Sequence, residues 1–138
     1  MKKLFFLAGL IISLFYTASA QKPAYRVVMD VTSKDTLVHQ AVMRWISEIT
    51  SANPDAQIEV VFYAKGPWMV TKDRSSVGAS VMKFASNKNV SFRVCEIAMK
   101  NNNIDKTQLI EGVETVPDGI YEIILKEQQG WGYIKASL

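Results

Sequence analysis

Ser91-Phe92-Arg93-Val94-Cys95-Glu96-Ile97-Ala98-Met99-Lys100 reads as a strand, Ser91 to Cys95, that passes directly into a short helix running to about Asn101. A strand passing into a helix is the unit whose repetition along a chain builds a mainly parallel sheet. The junction also carries the single cysteine of the chain, Cys95. A thiol at a helix start meets unpaired backbone amides and the positive end of the helix dipole, the surroundings that favour a thiolate and sulfur chemistry.

Working outward, the same alternation recurs along the chain. Tyr25 to Asp30 reads as a first strand. From about Lys34 to Ala52 follows an amphipathic helix with Leu37, Val38, Ala41, Val42, Trp45 and Ile49 on its apolar side. Asn53-Pro54-Asp55 ends it, because the residue before a proline is pushed out of the helical region. Gln57 to Ala64 is a second strand, and Pro67 opens a short helical turn through Val70. A further helix carries Val77, Val81, Phe84 and Ala85 on one face. After the Cys95 unit, a turn is expected around Thr107 to Ile110 and a brief strand over Val113 to Val116. A helix whose expected buried stripe is Ile120, Ile123 and Ile124 comes next, and a last strand over Trp131 to Ala136. Strands alternating with helices, and too apolar for one wet face, predict an α/β fold with a mainly parallel sheet covered on both sides.

The first twenty residues read as a targeting segment. Lys2 and Lys3 precede an apolar run from Leu4 to Tyr16, and Ala18-Ser19-Ala20 supplies a small-residue cleavage signal. That run is about thirteen residues, short of the ~18–20 that span a bilayer. Residues 1–20 are therefore expected to be a signal peptide cleaved after Ala20, leaving a single domain over 21–138 in the periplasm or outside the cell, with no membrane attachment. Of the 16 Lys and Arg, two leave with the signal, so 14 stand against 13 Asp and Glu, a net charge of +1. The charges are scattered, with no basic stripe, which excludes an electrostatic footprint for nucleic acid.

In a parallel sheet the loops after the first three strands share the carboxyl rim, where ligands bind near a switch in strand order. That rim brings together Thr32-Ser33-Lys34, Lys65-Gly66-Pro67 and Cys95. Hydroxyls, lysines, backbone amides and one thiol suit a small anionic or polarisable species such as a persulfide. Cys95 is then the nucleophile or sulfur carrier, and Ser33, Lys34, Gly66, Pro67 and Lys100 bind the substrate. The plainer alternative is a small hydrophobe plugging the strand end. There is no Walker loop, no Gly-x-Gly-x-x-Gly and no Cys-x-x-Cys, so no cofactor is expected. Cys95 and Met99 stand i, i+4, but two soft ligands are too few for a metal site. His39, the only histidine, reads as a surface residue on the polar flank of the first helix.

Taken in order, Tyr25–Asp30, Ile58–Tyr63 with Gly66-Pro67, Phe92-Arg93-Val94-Cys95 with Met99-Lys100, Val113–Val116 with Pro117, and Gly130-Trp131-Gly132-Tyr133-Ile134 resemble the DsrE/DsrF-like family of sulfur-relay proteins. The resemblance implies a three-layer α/β/α sandwich with a parallel five-stranded sheet, assembled into homo-oligomers. It further implies a persulfide on Cys95, exchanged with a sulfur donor or acceptor protein or a small sulfur compound. Relay members act in the cytoplasm, and the leader here departs from that pattern. The competing reading is a non-catalytic ligand-binding or assembly module of the same fold, with Cys95 structural.

Overall fold

β-branched residues alternating with others along the strands decide which side of the sheet each side chain serves. In β1 (Arg26–Val31), Val27, Met29 and Val31 enter the larger core, while Val28 enters a smaller one on the opposite face. The computed structural model describes residues 23–137. The leader read in residues 1–20 lies outside them. The elements continue as α1 (Thr36–Ala52), β2 (Gln57–Phe62), a 3-10 turn (Gly66–Val70), α2 (Gly78–Ala85), β3 (Val90–Cys95), α3 (Glu96–Asn101), a second 3-10 turn (Lys106–Gln108), β4 (Glu114–Val116), α4 (Gly119–Gln128) and β5 (Gly132–Lys135). No helix among the described residues is long and apolar enough to cross a membrane.

All five strands are parallel, in the order β4-β3-β2-β1-β5. The chain steps outward from β1 to β4, then α4 carries it back to the far side of β1. The larger core joins Val38, Val42 and Ile46 of α1, Val81 of α2 and Met99 of α3 to the strands. Ile123 of α4 packs on the other face with Val28 and Val61. The fold is thus an α/β/α sandwich with one helix making the second outer layer.

Two helices turn differently from the sequence expectation. Asp35 caps α1 by accepting from the Leu37 amide at 2.9 Å. The buried side of α1 is Val38, His39, Ala41, Val42, Met43 and Ile46, and Leu37 is 59% exposed. His39 is therefore a core residue and not a surface one. Its Nε2 lies 2.9 Å from the Ser33 carbonyl, which can only accept, so the ring is turned inward to hold the β1–α1 loop. In α4, Ile123 is buried, whereas Ile120 and Ile124 are exposed. A lone helix lying on a sheet buries one narrow stripe, here Gly119, Ile123 and the stem of Lys126 at i, i+4, i+7. Its neighbouring isoleucines have nothing to pack on.

Candidate functional site

Alternation places Asp30, Glu59, Val61, Ser91, Arg93 and Cys95 on the face beneath α4, because their neighbours fill the larger core. Cys95 ends β3, caps α3 in an extended conformation with no side-chain hydrogen bond to the helix, and is 4% exposed. The first turn of α4 lies directly on it. A Cβ built on Gly119 would stand 3.0 Å from the Cys95 Cβ and 3.1 Å from Val61 Cγ1, so glycine permits the approach. Asp118 starts α4 by accepting from the amides of Ile120 (2.9 Å) and Tyr121 (3.3 Å).

The helix after β3 and the helix after β4 serve opposite faces, so a crevice opens at the carboxyl ends of these two strands, as open parallel sheets require at a switch point. It is a cavity of about 350 Å³. Cys95 and Tyr63 line it with Ile97, Ala98, Asn101 and Asn102 from α3 and its cap, Asp118 and Ile120 from α4, and Ala64 and Lys65 after β2. Asn102 fastens the wall, donating from Nδ2 to the carbonyls of Ala64 and Ala98, both at 2.7 Å. Lys65 Nζ donates to Asn102 Oδ1 at 2.9 Å. These bonds hold Ala64 in the left-handed region, φ 49°, which a non-glycine residue adopts at a cost of about 1 kcal/mol.

Of the residues assigned to the rim from sequence, Cys95 and Lys65 meet at this cavity. Ser33, Lys34, Gly66, Pro67 and Lys100 do not line it. Ser33 Oγ accepts from the Asp35 amide at 3.0 Å, and Lys34 Nζ lies 5.4 Å from the centre of the Trp68 ring. Gly66 is buried against the Val31 carbonyl, and the Pro67 carbonyl accepts from Thr71 Oγ1 at 2.8 Å. Lys100 is exposed on α3. Met99 is packed in the larger core. Among the described residues no three His, Cys, Asp or Glu side chains are grouped to hold a metal.

Sequence reading missed the cluster behind the cavity. Asp30, 2% exposed, accepts at Oδ2 from the hydroxyls of both Tyr63 and Tyr133, each at 2.8 Å. Burial, then the hydrogen bond and charge of Asp30, push each phenol from 10.0 to about 12. The folded state holds these protons more tightly than the unfolded chain does. Their contribution to stability is complete below the ordinary phenol value near 10 and is lost as pH rises through about 12. Asp30→Asn is expected to move both titrations part of the way back, since burial remains. Phenolate absorbance against pH reads this, and an unmoved pair would show that Asp30 is not the charge they sense.

The five-stranded parallel sheet of this α/β/α sandwich is also what comparison with known proteins finds. The DsrE/DsrF-like family model matches residues 10–136. The chain belongs to the DsrE/DsrF-like family. Among solved structures, this DsrE/DsrF-like chain is similar to MTH1491 of Methanobacterium thermoautotrophicum, a protein of unknown function. The two are 26% identical with a TM-score of 0.75, over 80% of this chain and 98% of that one. It is also similar in fold to the ychN protein of E. coli (10% identity, TM-score 0.67, covering 81% of this chain and 98% of that one). A third likeness is BT1422 of Bacteroides thetaiotaomicron, of unknown function (12% identity, TM-score 0.65, covering 80% and 93%). At the last two identities the likeness is one of fold alone. No curated protein matches the chain.

Proposed function

We propose that this DsrE/DsrF-like protein is exported and carries sulfane sulfur on Cys95. The observation that carries this reading is the placement of the chain's single cysteine in the wall of the crevice at the β3–β4 switch point. The Cys95 thiolate attacks the outer sulfur of a donor persulfide, R–S–SH. The new bond gives Cys95–S–SH, the donor S–S bond breaks, and R–S⁻ departs with the electron pair. An acceptor thiolate, on a protein or a small sulfur compound, then removes the outer sulfur by the same exchange and regenerates Cys95. The chain's own residues shape access: Tyr63, Ile97, Ala98 and Ile120 wall the cavity, and Lys65 is its cation.

Incubation with inorganic polysulfide, followed by alkylation and intact-mass measurement, is expected to show one added sulfur on the protein and none on Cys95→Ser. Absence of the adduct while the thiol still labels would end the relay reading. A second reading, an oligomeric assembly or ligand-binding module with a structural Cys95, is favoured by the exposed apolar row Ile120, Tyr121 and Ile124 on α4. Homo-oligomerisation through that row accords with either reading. The assembly reading alone expects a thiol that stays silent until denaturation, with Cys95→Ser keeping the oligomer mass unchanged.

A further inference from the structure

Cys95 is only 4% exposed at the wall of the crevice, and the first turn of α4, whose Gly119 lies against it, forms one side of its cover, so lifting that turn widens access to the thiol. What holds α4 down stands one and two turns further along. Glu59 of β2 is a 1%-exposed carboxylate on the sheet beneath the helix. Its Oε2 receives Lys126 Nζ at 3.0 Å, Ser91 Oγ at 3.1 Å and Arg93 Nε at 3.7 Å. Lys126 also reaches Glu122 Oε1 at 3.7 Å and lies 4.6 Å from the centre of the Trp131 ring. Glu59 Oε1 is buried without a hydrogen-bond partner.

A buried acceptor left empty costs about 1–3 kcal/mol, so a donor close to Oε1 is strongly favoured. Glu122, on α4 and 3.7 Å from the same Lys126 Nζ that meets Glu59, can donate to that carboxylate only when protonated. Its carboxyl is held above the ordinary glutamate range by burial first, then by the hydrogen bond and charge of Glu59, against the opposing pull of Lys126 and Arg93. These are the charged groups that face Glu122: Glu59 from β2, Arg93 from β3 and Lys126 from α4.

We propose that Glu59, Lys126 and Glu122 form a latch that seats α4 over Cys95, with Glu122 gripping Glu59 when protonated and repelling it when ionised. The three are positioning residues that govern access to the thiol through α4, and the inference takes Cys95 as the reacting atom of the function proposed above. The sign follows from the raised carboxyl. The folded state favours the neutral acid, so seating is strongest in acid and weakens as pH rises through the Glu122 titration. The cover opens on the alkaline side.

The test compares alkylation rates of Cys95 by iodoacetamide in the folded protein, wild type against Glu122→Gln, at matched pH so that the thiol's own ionisation divides out. Glutamine donates to Glu59 at every pH. The rate ratio is expected to be near one in acid and to climb to about tenfold in favour of wild type above the Glu122 titration, the size of one lost buried hydrogen bond to a charged group. Lys126→Met, which keeps the stem on Trp131, is expected to label faster than wild type throughout. A purely structural role would lower the melting temperature of the variants and leave the ratio flat. A flat ratio, or a thiol silent in every variant, overturns the latch. Labelling involves no sulfur transfer, so a protein that fails to load sulfur but keeps the pH step would lose the proposed function and retain the latch.

Discussion

Gly66→Ala is expected to be the most damaging single methyl in the protein, costing about 3 kcal/mol and roughly 10 °C in melting temperature. The added Cβ would fall 1.9 Å from the Val31 carbonyl oxygen and 2.7 Å from its carbon. The obstacle is backbone at the end of a central strand, with no side chain that could swing aside. The same carbonyl accepts from the Tyr63 amide at 3.2 Å, and the Thr32 carbonyl accepts from the Lys65 amide at 3.1 Å. Moving the loop enough to admit the methyl would break the pairing of β1 and β2 where the chain enters the crevice wall. Gly78→Ala is the control. Its nearest neighbour would be Ile110 Cδ1 at 3.5 Å, in a helix that favours alanine, so stability should be unchanged or slightly raised. Circular-dichroism melts of the two variants decide the matter. A Gly66→Ala protein melting within a few degrees of wild type would mean that the loop yields where the geometry says it cannot.

Lys126→Met is expected to cost about 3 kcal/mol, the magnitude of breaking a buried ion pair from one side. Glu59 would keep Ser91 and the more distant Arg93 guanidinium, but lose the cation nearest to it. The partner side chains are 18% and 2% exposed, so water offers little compensation. The double variant Lys126→Met, Glu59→Met is expected to recover most of the loss, because an apolar pair of similar volume carries no desolvation penalty. Urea denaturation of both single variants and the double gives the coupling. If Lys126→Met alone costs less than about 1 kcal/mol, the pair behaves as a surface contact and the burial argument fails.

The strands and helices were legible to within two residues because the sheet is parallel and β1 to β4 pair in the order the chain makes them, with a helix in each connection. Each βα step leaves its own period, and Pro54, Pro67 and Pro117 mark its ends. What periodicity could not give was the rotation of α1 and α4 about their axes. A stripe of apolar residues names a buried side only if a partner covers its whole width. In α4 one narrow contact sufficed, and Ile120 and Ile124 were left outside. His39 was misplaced for the related reason that a polar ring can be buried when a carbonyl six residues earlier, in the loop before the helix, accepts from it.

The candidate site was legible at its thiol and not around it. The carboxyl rim of the sheet has two sides, and sequence order alone does not say which loops turn to which. Ser33, Lys34, Gly66 and Pro67 belong to connections that lead to the larger core, and Cys95 looks across to α4. The one available signal for the missed half was Asp118-Gly119. A cap residue followed by a glycine at a helix start is a place where a backbone is brought close to something.

The last described strand pairs with the first. Val27 stands opposite Gly132 and Asp30 opposite Lys135, so the two ends of the described chain are stitched side by side. Such a pairing is the most entropically demanding closure in the molecule and follows the local βα steps in folding. Until β5 pairs, β1 has an open edge and the described sheet is one strand short. Pairing of these two strands is therefore the step that removes the open edge of β1 and completes the described sheet.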